Sequence, residues 1–222
     1  MLLIIGQSNS ANFAARRYRS AHGDRVINFF GSRCHVAASP LIGADGKRGE
    51  PWTLLANLLV ERNRFSRVVL VPAGIRSSAI TRWAAGGDLN ALLMSDLDKI
   101  QARYRITHVL WHQGESDFVL ATPPADYRRA FQSLAGRLRG RGVVAPVYVS
   151  VATRCKARRD MPWSVGNPIA QTQRALVDPG RGIFAGIDSD ALIGPDGRTD
   201  GCHFNQRGEE IFARAWLGIL GE

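Results

Sequence analysis

Residues of the types that catalyse acyl transfer lie near the two ends of the chain. Ser8 lies in the segment Gly6-Gln7-Ser8-Asn9, and Asp200 precedes His203 by three residues. A serine hydroxyl is a weak nucleophile at neutral pH and needs a base within hydrogen-bond reach, which a carboxylate orients. One short turn could supply both the imidazole and the carboxylate. Taken alone, however, such a serine is more often a helix N-cap, and this Asp and His spacing is common on protein surfaces.

Gln113 could supply a further group for the same chemistry. Acyl transfer passes through a tetrahedral oxyanion, and a side-chain amide at a strand end can donate to it beside the backbone N–H of Ser8. The alternative for Gln113 is a hydrogen bond within its own loop. The neighbouring His112, Glu115 and Asp117 also suggest a metal site, but they lack the i, i+4 spacing of a helical metal motif, so we expect no metal.

The segments around these residues predict an α/β fold. Short apolar runs alternate with segments of helical period, which is typical of a parallel sheet covered by helices. Strands are predicted at residues 2–5, 25–29, 68–71, 107–111, 147–151 and 183–187. Helices are predicted at residues 11–20, 52–63, 89–104, 124–139, 168–177 and 209–220, with Asp88 as a candidate cap and Pro123-Pro124 opening the fourth.

This order of elements gathers the candidate residues at one edge of the sheet. In an open parallel sheet, ligands bind at the carboxyl ends of the strands. Ser8 follows the first predicted strand, residues 74–80 follow the third, and Gln113 follows the fourth. Two stretches rich in Gly, Pro and charge, residues 32–51 and 153–167, predict long loops over the site. No repeat or linker divides residues 1–222, so we expect a single domain.

The charge of the chain favours an anionic partner, but no nucleic-acid motif accompanies it. The formal net charge is +10, and Arg is scattered through nearly every predicted helix. Arg154, Lys156, Arg158 and Arg159 fall together on a predicted loop, where they could attract an anionic polymer or form a solvated basic surface. We therefore expect no nucleic-acid partner and keep an anionic polymer as a possible substrate.

The cysteines and apolar runs limit other classes of site. Cys34, Cys155 and Cys202 are widely spaced, which excludes a paired CxxC zinc motif and leaves one disulfide with one free thiol as an alternative. No apolar run is long enough to predict a membrane span. The chain starts within a predicted strand, so we expect a cytoplasmic protein, or a periplasmic or secreted one if a signal peptide was removed. The oligomeric state is not predicted.

Together, three motifs resemble those of a known family. The segment GQSN at residues 6–9, WHQGESD at residues 111–117 and DGCHF at residues 200–204 resemble, in order, the motif blocks of SGNH hydrolases. The resemblance is specifically to the branch of sialate O-acetylesterase-like and related carbohydrate acetylesterases. That branch has GQSN where many relatives have GDS, and QGE where they have an asparagine motif. The motifs extend over nearly the whole chain.

This resemblance implies a fold and a role for each matching residue. The fold would be a three-layer α/β/α sandwich, flavodoxin-like, with a central parallel sheet of about five strands and no metal or cofactor. Ser8 would be the nucleophile, His203 the base and Asp200 the residue that orients it. The Ser8 amide and Gln113 would donate to the oxyanion. Glu115 would brace the site through hydrogen bonds, and Asn9, Gly74 and Arg76 would bind substrate or support the site.

One segment departs from the family pattern. Residues 71–83, VPAGIRSSAITRW, resemble a stretch that ends in I-x-x-W but usually carries a Gly-Gly pair, whose backbone donates to the oxyanion. Alignment from Trp83 places that pair on Arg76 and Ser77, with Gly74 two residues earlier. A backbone donor does not require glycine, so Ser77 is the predicted donor. Arg76 would then lie near the site, facing an acidic or hydroxyl-rich substrate.

Two tryptophans could also contribute to carbohydrate binding. Trp83 and Trp163 could stack on sugar rings, although tryptophans are at least as often part of the core.

These observations predict a serine esterase that hydrolyses O-acetyl or other small acyl esters of carbohydrate through an acyl-serine. One alternative function is a polysaccharide O-acyltransferase that uses the same triad. Another is a non-catalytic carbohydrate-binding protein, which the intact Ser8, Asp200 and His203 disfavour.

Overall fold

A central β-sheet organises the protein, whose computed structural model describes residues 1–155 and 161–221. The described strands are β1 (Leu2–Gly6), β2 (Val26–Phe30), β3 (Arg33–Val36), β4 (Val68–Pro72), β5 (His108–His112), β6 (Val147–Val151) and β7 (Ile183–Asp188). They form one sheet in the order β3-β2-β4-β1-β5-β6-β7. All neighbouring pairs are parallel except β2 and β3, which are antiparallel.

Strand β1 lies in the middle of this sheet because its side chains are apolar on both faces. The sequence LLIIG is buried at every position, as a parallel strand between two helical layers requires. Leu3 pairs with Val71 of β4, and Ile5 pairs with Trp111 of β5. The loops that follow β4, β1 and β5 therefore leave the sheet side by side.

Helices cover both faces of the sheet. They are α1 (Trp52–Glu61), α2 (Asp88–Gln101), α3 (Glu115–Val119), α4 (Pro124–Gly140), α5 (Pro168–Arg174), α6 (Ser189–Leu192) and α7 (Gln206–Leu220). Leu93 of α2, Phe131 of α4 and Ile169 of α5 pack in the core on one face. Trp52 of α1 and Trp216 of α7 pack in the core on the other face. The predicted three-layer α/β/α architecture is therefore confirmed.

The sheet is larger than the prediction of about five strands, since the described chain contributes seven. Strand β3 was missed because its four residues are exposed and show no apolar alternation. Its hairpin with β2 turns at Gly31 and Ser32, which have φ values of 55° and 64°. Two successive residues with positive φ form the tight turn that suits the right-handed twist of adjacent strands.

The helix predicted at residues 11–20 is wrong. Backbone N–H groups in this segment donate to other loops instead of to their own turns: Asn12 to Asp45, Ala14 to Gly49 and Ala15 to Phe204. These long-range hydrogen bonds outweigh a modest helical preference. Asp88 also differs from its expected position, because Gly87 is the N-cap and Asp88 is the first helical residue. No helix in the described ranges is long and apolar enough to cross a membrane.

Candidate active site

The loops at the carboxyl ends of β1, β4 and β5 surround a cavity of about 420 Å³. Five residues that the sequence predicted for the site line it, and these are Ser8, Arg76, Ser77, Glu115 and His203. The other lining residues are Gln7, Phe13, Ser116, Val119, Leu120, Cys155 and Cys202. Residues separated by almost the whole length of the chain therefore share one cavity.

Ser8 begins a short 3₁₀ turn, Ser8–Ser10, that follows β1 after a single residue. The chain reaches this turn through Gly6, whose φ is +147°, and a Cβ on Gly6 would lie 2.0 Å from the carbonyl oxygen of His112. Only glycine permits this close approach of β1 to β5. Ser8 is 5% exposed, and no hydrogen bond joins its hydroxyl to His203 in the described chain.

Asp200 holds the imidazole of His203 through a short loop before α7. Asp200 Oδ2 lies 2.8 Å from His203 Nδ1, while Oδ1 accepts hydrogen bonds from the backbone N–H groups of Cys202 and His203. Partial burial opposes ionisation of Asp200, but these hydrogen bonds outweigh it and lower the pKa of Asp200 to about 2. The carboxylate is thus ionised at neutral pH and orients the imidazole.

Three tethers hold this loop against the rest of the site. A disulfide joins Cys202 to Cys155, which lies in the loop after β6. The carbonyl oxygen of Cys202 accepts hydrogen bonds from Asn9 Nδ2 and from the guanidinium of Arg198.

The third cysteine, Cys34, is a free, exposed thiol. Of the alternatives left open by the sequence, the structure therefore shows one disulfide and one free cysteine.

Asn9 connects the serine turn to the loop that carries His203. Its Nδ2 donates to Glu115 Oε1 at 2.9 Å as well as to Cys202. Glu115 is fully buried, and burial raises its pKa to about 7, although the bond from Asn9 opposes this shift. Asn9 therefore joins the serine turn both to Glu115 and to the loop that carries His203.

The segment after β4 contributes Ser77 and Arg76 to the cavity wall. Ser77 has a φ of 51°, a left-handed conformation that serine adopts at some cost. Gly74 packs against the serine turn so closely that a Cβ would lie 2.6 Å from Ser10 Oγ. Arg76 is exposed at the rim, where its guanidinium lies 5.9 Å from the ring of Phe13 and makes a 3.6 Å ion pair with Asp45.

Gln113 lies behind the cavity and does not line it. Its side chain is fully buried, and Nε2 donates to the carbonyl oxygen of Ser78 at 2.9 Å and to the carboxylate of Asp117. Its Oε1 accepts from the hydroxyl of Tyr127. The amide hydrogens of Gln113 therefore face internal acceptors, and donation to a substrate oxyanion would require a rearrangement of these bonds.

The side chains of His112, Glu115 and Asp117, which the sequence suggested as metal ligands, each contact different partners. His112 packs against the rings of Phe204 and Phe212, and burial lowers its pKa to about 3. Asp117 accepts hydrogen bonds from Ile80 and Thr122, whereas Glu115 faces Asn9. Within residues 1–155 and 161–221 no group of three metal-ligating side chains is brought together.

The tryptophans considered for sugar stacking lie outside the cavity. Trp83 is buried and packs edge-on against Trp111. Trp163 is partly buried, donates to Thr153 Oγ1, and carries the guanidinium of Arg154 at 3.9 Å from its ring centroid. The other three members of the predicted basic loop, Lys156, Arg158 and Arg159, fall outside the described residues.

Seven cavity residues were not predicted for the site, among them Gln7, Phe13, Val119 and Leu120. Gln7 lies beside Ser8 within the GQSN motif, so its position alone could have indicated it. The ring of Phe13 stacks on His203 with centroids 5.6 Å apart. Val119 and Leu120 are apolar yet 40% and 64% exposed, and they line the cavity together with Phe13. No sequence pattern distinguishes these three from core residues, because only the tertiary fold leaves them at a cavity mouth.

A family model for carbohydrate esterases, specifically the sialic acid-specific acetylesterases, matches residues 1–211. The chain belongs to this family. It is therefore a carboxylic ester hydrolase, and the resemblance seen in the motifs is confirmed. No curated protein sequence gives a significant match to the chain.

Solved structures support the same fold. A protein from Arabidopsis thaliana is 20% identical with a TM-score of 0.71, and the match covers 98% of this chain and 97% of that one. An acetylxylan esterase from Geobacillus stearothermophilus is 16% identical with a TM-score of 0.59, over 100% of this chain and 94% of that one. At these identities the likeness shows a shared fold.

Proposed function

We propose that this esterase hydrolyses O-acetyl or similar small acyl esters of carbohydrate through an acyl-enzyme on Ser8. The observation that carries the proposal is the 2.8 Å contact between Asp200 Oδ2 and His203 Nδ1 beside a cavity that Ser8 also lines. A nucleophile, a base and an oriented carboxylate are the three parts that serine esterases require. Membership of a carbohydrate esterase family supports the substrate class.

In the first half of the proposed reaction, His203 Nε2 takes the proton of Ser8 Oγ while Oγ forms a bond to the ester carbonyl carbon. Nε2 is the available nitrogen because Nδ1 is bonded to Asp200. The carbonyl oxygen becomes an oxyanion, and the backbone N–H groups of Ser8 and Ser77 are its proposed donors. The carbon–oxygen bond to the sugar then breaks, and His203 returns the proton to the leaving sugar oxygen.

In the second half, water replaces the sugar. His203 takes a proton from water, the hydroxide oxygen bonds to the acyl carbon, and the bond to Ser8 Oγ breaks as Oγ regains the proton. The products are the carboxylic acid and free enzyme. Asp200 remains ionised throughout and stabilises the imidazolium, which its lowered pKa supports.

The walls of the cavity support a sugar ester rather than a long-chain ester. The mouth combines the apolar side chains of Phe13, Val119 and Leu120 with the guanidinium of Arg76. Sugars present apolar C–H faces and hydroxyl edges, so such a mixed surface suits them. Arg76 could also bind an acidic group of an anionic carbohydrate.

The test is acetate release from a panel of acetylated mono-, oligo- and polysaccharides, measured for the native protein and for Ser8→Ala. We expect native turnover of at least one acetylated glycan and a loss of roughly 10⁴-fold or more in Ser8→Ala. Ser116→Ala is the matched control, because Ser116 lines the same cavity and has no role in the proposed reaction. A folded Ser8→Ala protein with near-native activity would exclude the proposed nucleophile.

Acyl transfer to a sugar acceptor is distinguished in the same assay. With an activated acetyl donor, we expect nearly the same yield of acetate with or without added cello- or xylo-oligosaccharides, because the open cavity admits water. Mass spectrometry that found mainly acetylated oligosaccharide, with acetate release suppressed, would identify a transferase.

A further inference from the structure

Gln7 precedes Ser8 and lines the same cavity, although its side chain is only 3% exposed. Its backbone N–H donates to the carbonyl oxygen of His112 at the end of β5. The backbone of Gln7 is therefore fixed to the end of β5. Its side chain has no part in the mechanism described so far.

The orientation of the Gln7 amide follows from its neighbours. Oε1 lies 3.1 Å from the backbone N of Ser116 and 3.4 Å from the backbone N of Gly114. Backbone N–H groups can only donate, so the atom that faces them must be the carbonyl oxygen. Gln113 Nε2 also lies 3.3 Å from this oxygen, but its two hydrogens are directed to the carbonyl oxygen of Ser78 and the carboxylate of Asp117.

In this orientation, the amide NH2 group of Gln7 donates no hydrogen bond to the described residues. The backbone N–H groups of Gly114 and Ser116 hold Oε1, whereas Nε2 has no hydrogen-bond acceptor among the described residues. Nε2 is not one of the fully enclosed polar atoms that lack a partner, so it keeps some surface toward the cavity that Gln7 lines, where a ligand can accept from it. An oxyanion that develops beside Ser8 would be such an acceptor.

We propose that Gln7 Nε2 is the side-chain donor to the oxyanion. This inference rests on the acyl-serine mechanism proposed above. The amide hydrogens of Gln113 are directed to Ser78 and Asp117, and the hydroxyl of Tyr127 donates to its Oε1, so this side chain is held away from the cavity. The role of side-chain amide donor, predicted for Gln113, is thus assigned by this proposal to Gln7.

Two substitutions separate donation from packing. Gln7→Met keeps the length of the side chain and removes the donor. Gln7→Glu keeps an oxygen to accept from Gly114 and Ser116 and replaces the donor by a second oxygen. Removal of an oxyanion donor costs about 10²–10³-fold in kcat. We expect a loss in this range for Gln7→Met, a loss at least as large for Gln7→Glu, and little change in KM for a chromogenic acetyl ester.

The deciding measurement compares two inhibitors. A trifluoromethyl ketone forms a tetrahedral adduct with the serine, whereas an uncleavable acetamide analogue of the substrate mimics only the ground state. We expect the affinity for the ketone to fall with kcat/KM in both variants and the affinity for the amide to stay within about twofold. Equal losses for both inhibitors would indicate a packing role and overturn the inference.

The remaining outcomes are also informative. Native kcat in either folded variant would overturn the role of Gln7 while leaving the acyl-serine mechanism intact, provided that Ser8→Ala is inactive. Activity in Ser8→Ala would instead refute the mechanism itself. If Gln7→Met fails to fold, as thermal unfolding would reveal, Gln7→Glu provides the decisive comparison, because it preserves the acceptor for the backbone N–H groups.

Discussion

The two sides of the site are held in place by different means. Ser8 follows β1, and its turn is joined to neighbouring strands by backbone bonds, including Gln7 N to His112 O and Ile75 N to Gly6 O. His203 lies in a loop before α7, where its partner Asp200 has a side chain that is 52% exposed. That loop depends on side-chain tethers from Asn9, Arg198 and Cys155.

This difference indicates where the site can be altered without loss of the fold. The side that carries Ser8 is called the sheet side below, and the side that carries Asp200 and His203 is called the tethered side. A side built on the buried sheet shares its hydrogen bonds with the core, so a change there affects stability and activity together. A side held by a few tethers can move while the sheet persists. The following predictions test that contrast, from the largest expected effect to the smallest.

Substitution of Asp200 or His203 on the tethered side should cause the largest loss of activity. We expect Asp200→Asn and His203→Ala each to lower kcat by roughly 10⁴-fold, because the members of a serine, histidine and aspartate triad, as proposed here, act as a unit. Thermal unfolding should change little, since both residues lie outside the core. Steady-state kinetics with an acetyl ester checks this prediction. Asp196→Asn is the control, as Asp196 lies in the same region and forms an ion pair with exposed Arg207. Near-native kcat in Asp200→Asn would contradict the orienting role.

Matched glycine substitutions compare the two sides directly. A Cβ on Gly6 would lie 2.0 Å from His112 O, whereas a Cβ on Gly201, beside Asp200, meets nothing within 4 Å. We expect Gly6→Ala to lower the free energy of unfolding by more than about 3 kcal/mol. Gly201→Ala should cost only about 1 kcal/mol, because its positive φ is strained without a clash. Chemical denaturation measures both free energies of unfolding. Similar losses in the two variants would contradict the proposed difference between the two sides of the site.

Loss of the disulfide should loosen the tethered side. We expect Cys155→Ser to lower the free energy of unfolding by about 2–4 kcal/mol. The kcat should fall by about tenfold, because His203 directly follows the released Cys202 and small displacements of a catalytic group are costly. Cys34→Ser is the control, since Cys34 is free and exposed. Unchanged kcat in a folded Cys155→Ser protein would show that the other tethers suffice.

Glu115 lies between the two sides and should make stability depend on pH. Burial raises its pKa to about 7 from an ordinary value of 4.5. Between these values the folded protein retains a proton that the unfolded chain has released, so the free energy of unfolding falls as pH rises through this window. Glu115→Gln cannot titrate, and we expect it to reduce the fall between pH 5 and pH 8 by about 2 kcal/mol.

Denaturation at several pH values checks this prediction for Glu115. Glu61→Gln, which alters an exposed carboxylate at the end of α1, is the control and should reproduce the native pH profile. An unaltered profile in Glu115→Gln would mean that other buried carboxyls produce the dependence. Burial raises the pKa of Glu50 to about 7 and that of Glu209 to about 8, so Glu50→Gln and Glu209→Gln would identify them.

Arg76 should have the smallest effect, restricted to acidic substrates. Its side chain is 67% exposed and its pairing with Asp45 is loose. Exposed charge pairs contribute about 0.2–1 kcal/mol, so Arg76→Ala should raise KM for an acidic acetylated polymer by up to about fivefold. A small neutral ester should be unaffected, and added salt should reduce the difference. Arg129→Ala, on α4, is the control. Equal effects on both substrates would contradict the assignment.

Much of the fold could be predicted from local sequence. The strands β1, β4, β5 and β6 and the helices α1, α2 and α4 lie within a few residues of their predicted bounds. A buried strand appears in the sequence as a continuous apolar run, and a helix appears as apolar residues that recur with the helical period. Both patterns are set by residues that are close in sequence. Strand β3 and the segment 11–20 could not be predicted, because their hydrogen-bond partners are distant in sequence.

The sequence by itself determined the chemical family, since Ser8, Asp200 and His203 stand in recognisable motifs in the expected order. Tertiary structure alone decided which groups share the cavity. It turned the amide of Gln113 inward, brought Gln7 to the cavity wall, and linked Cys155 to Cys202. The physical reason is that a motif specifies residue types and chain order, whereas the direction of a buried polar side chain depends on donors and acceptors that the fold brings together from distant strands.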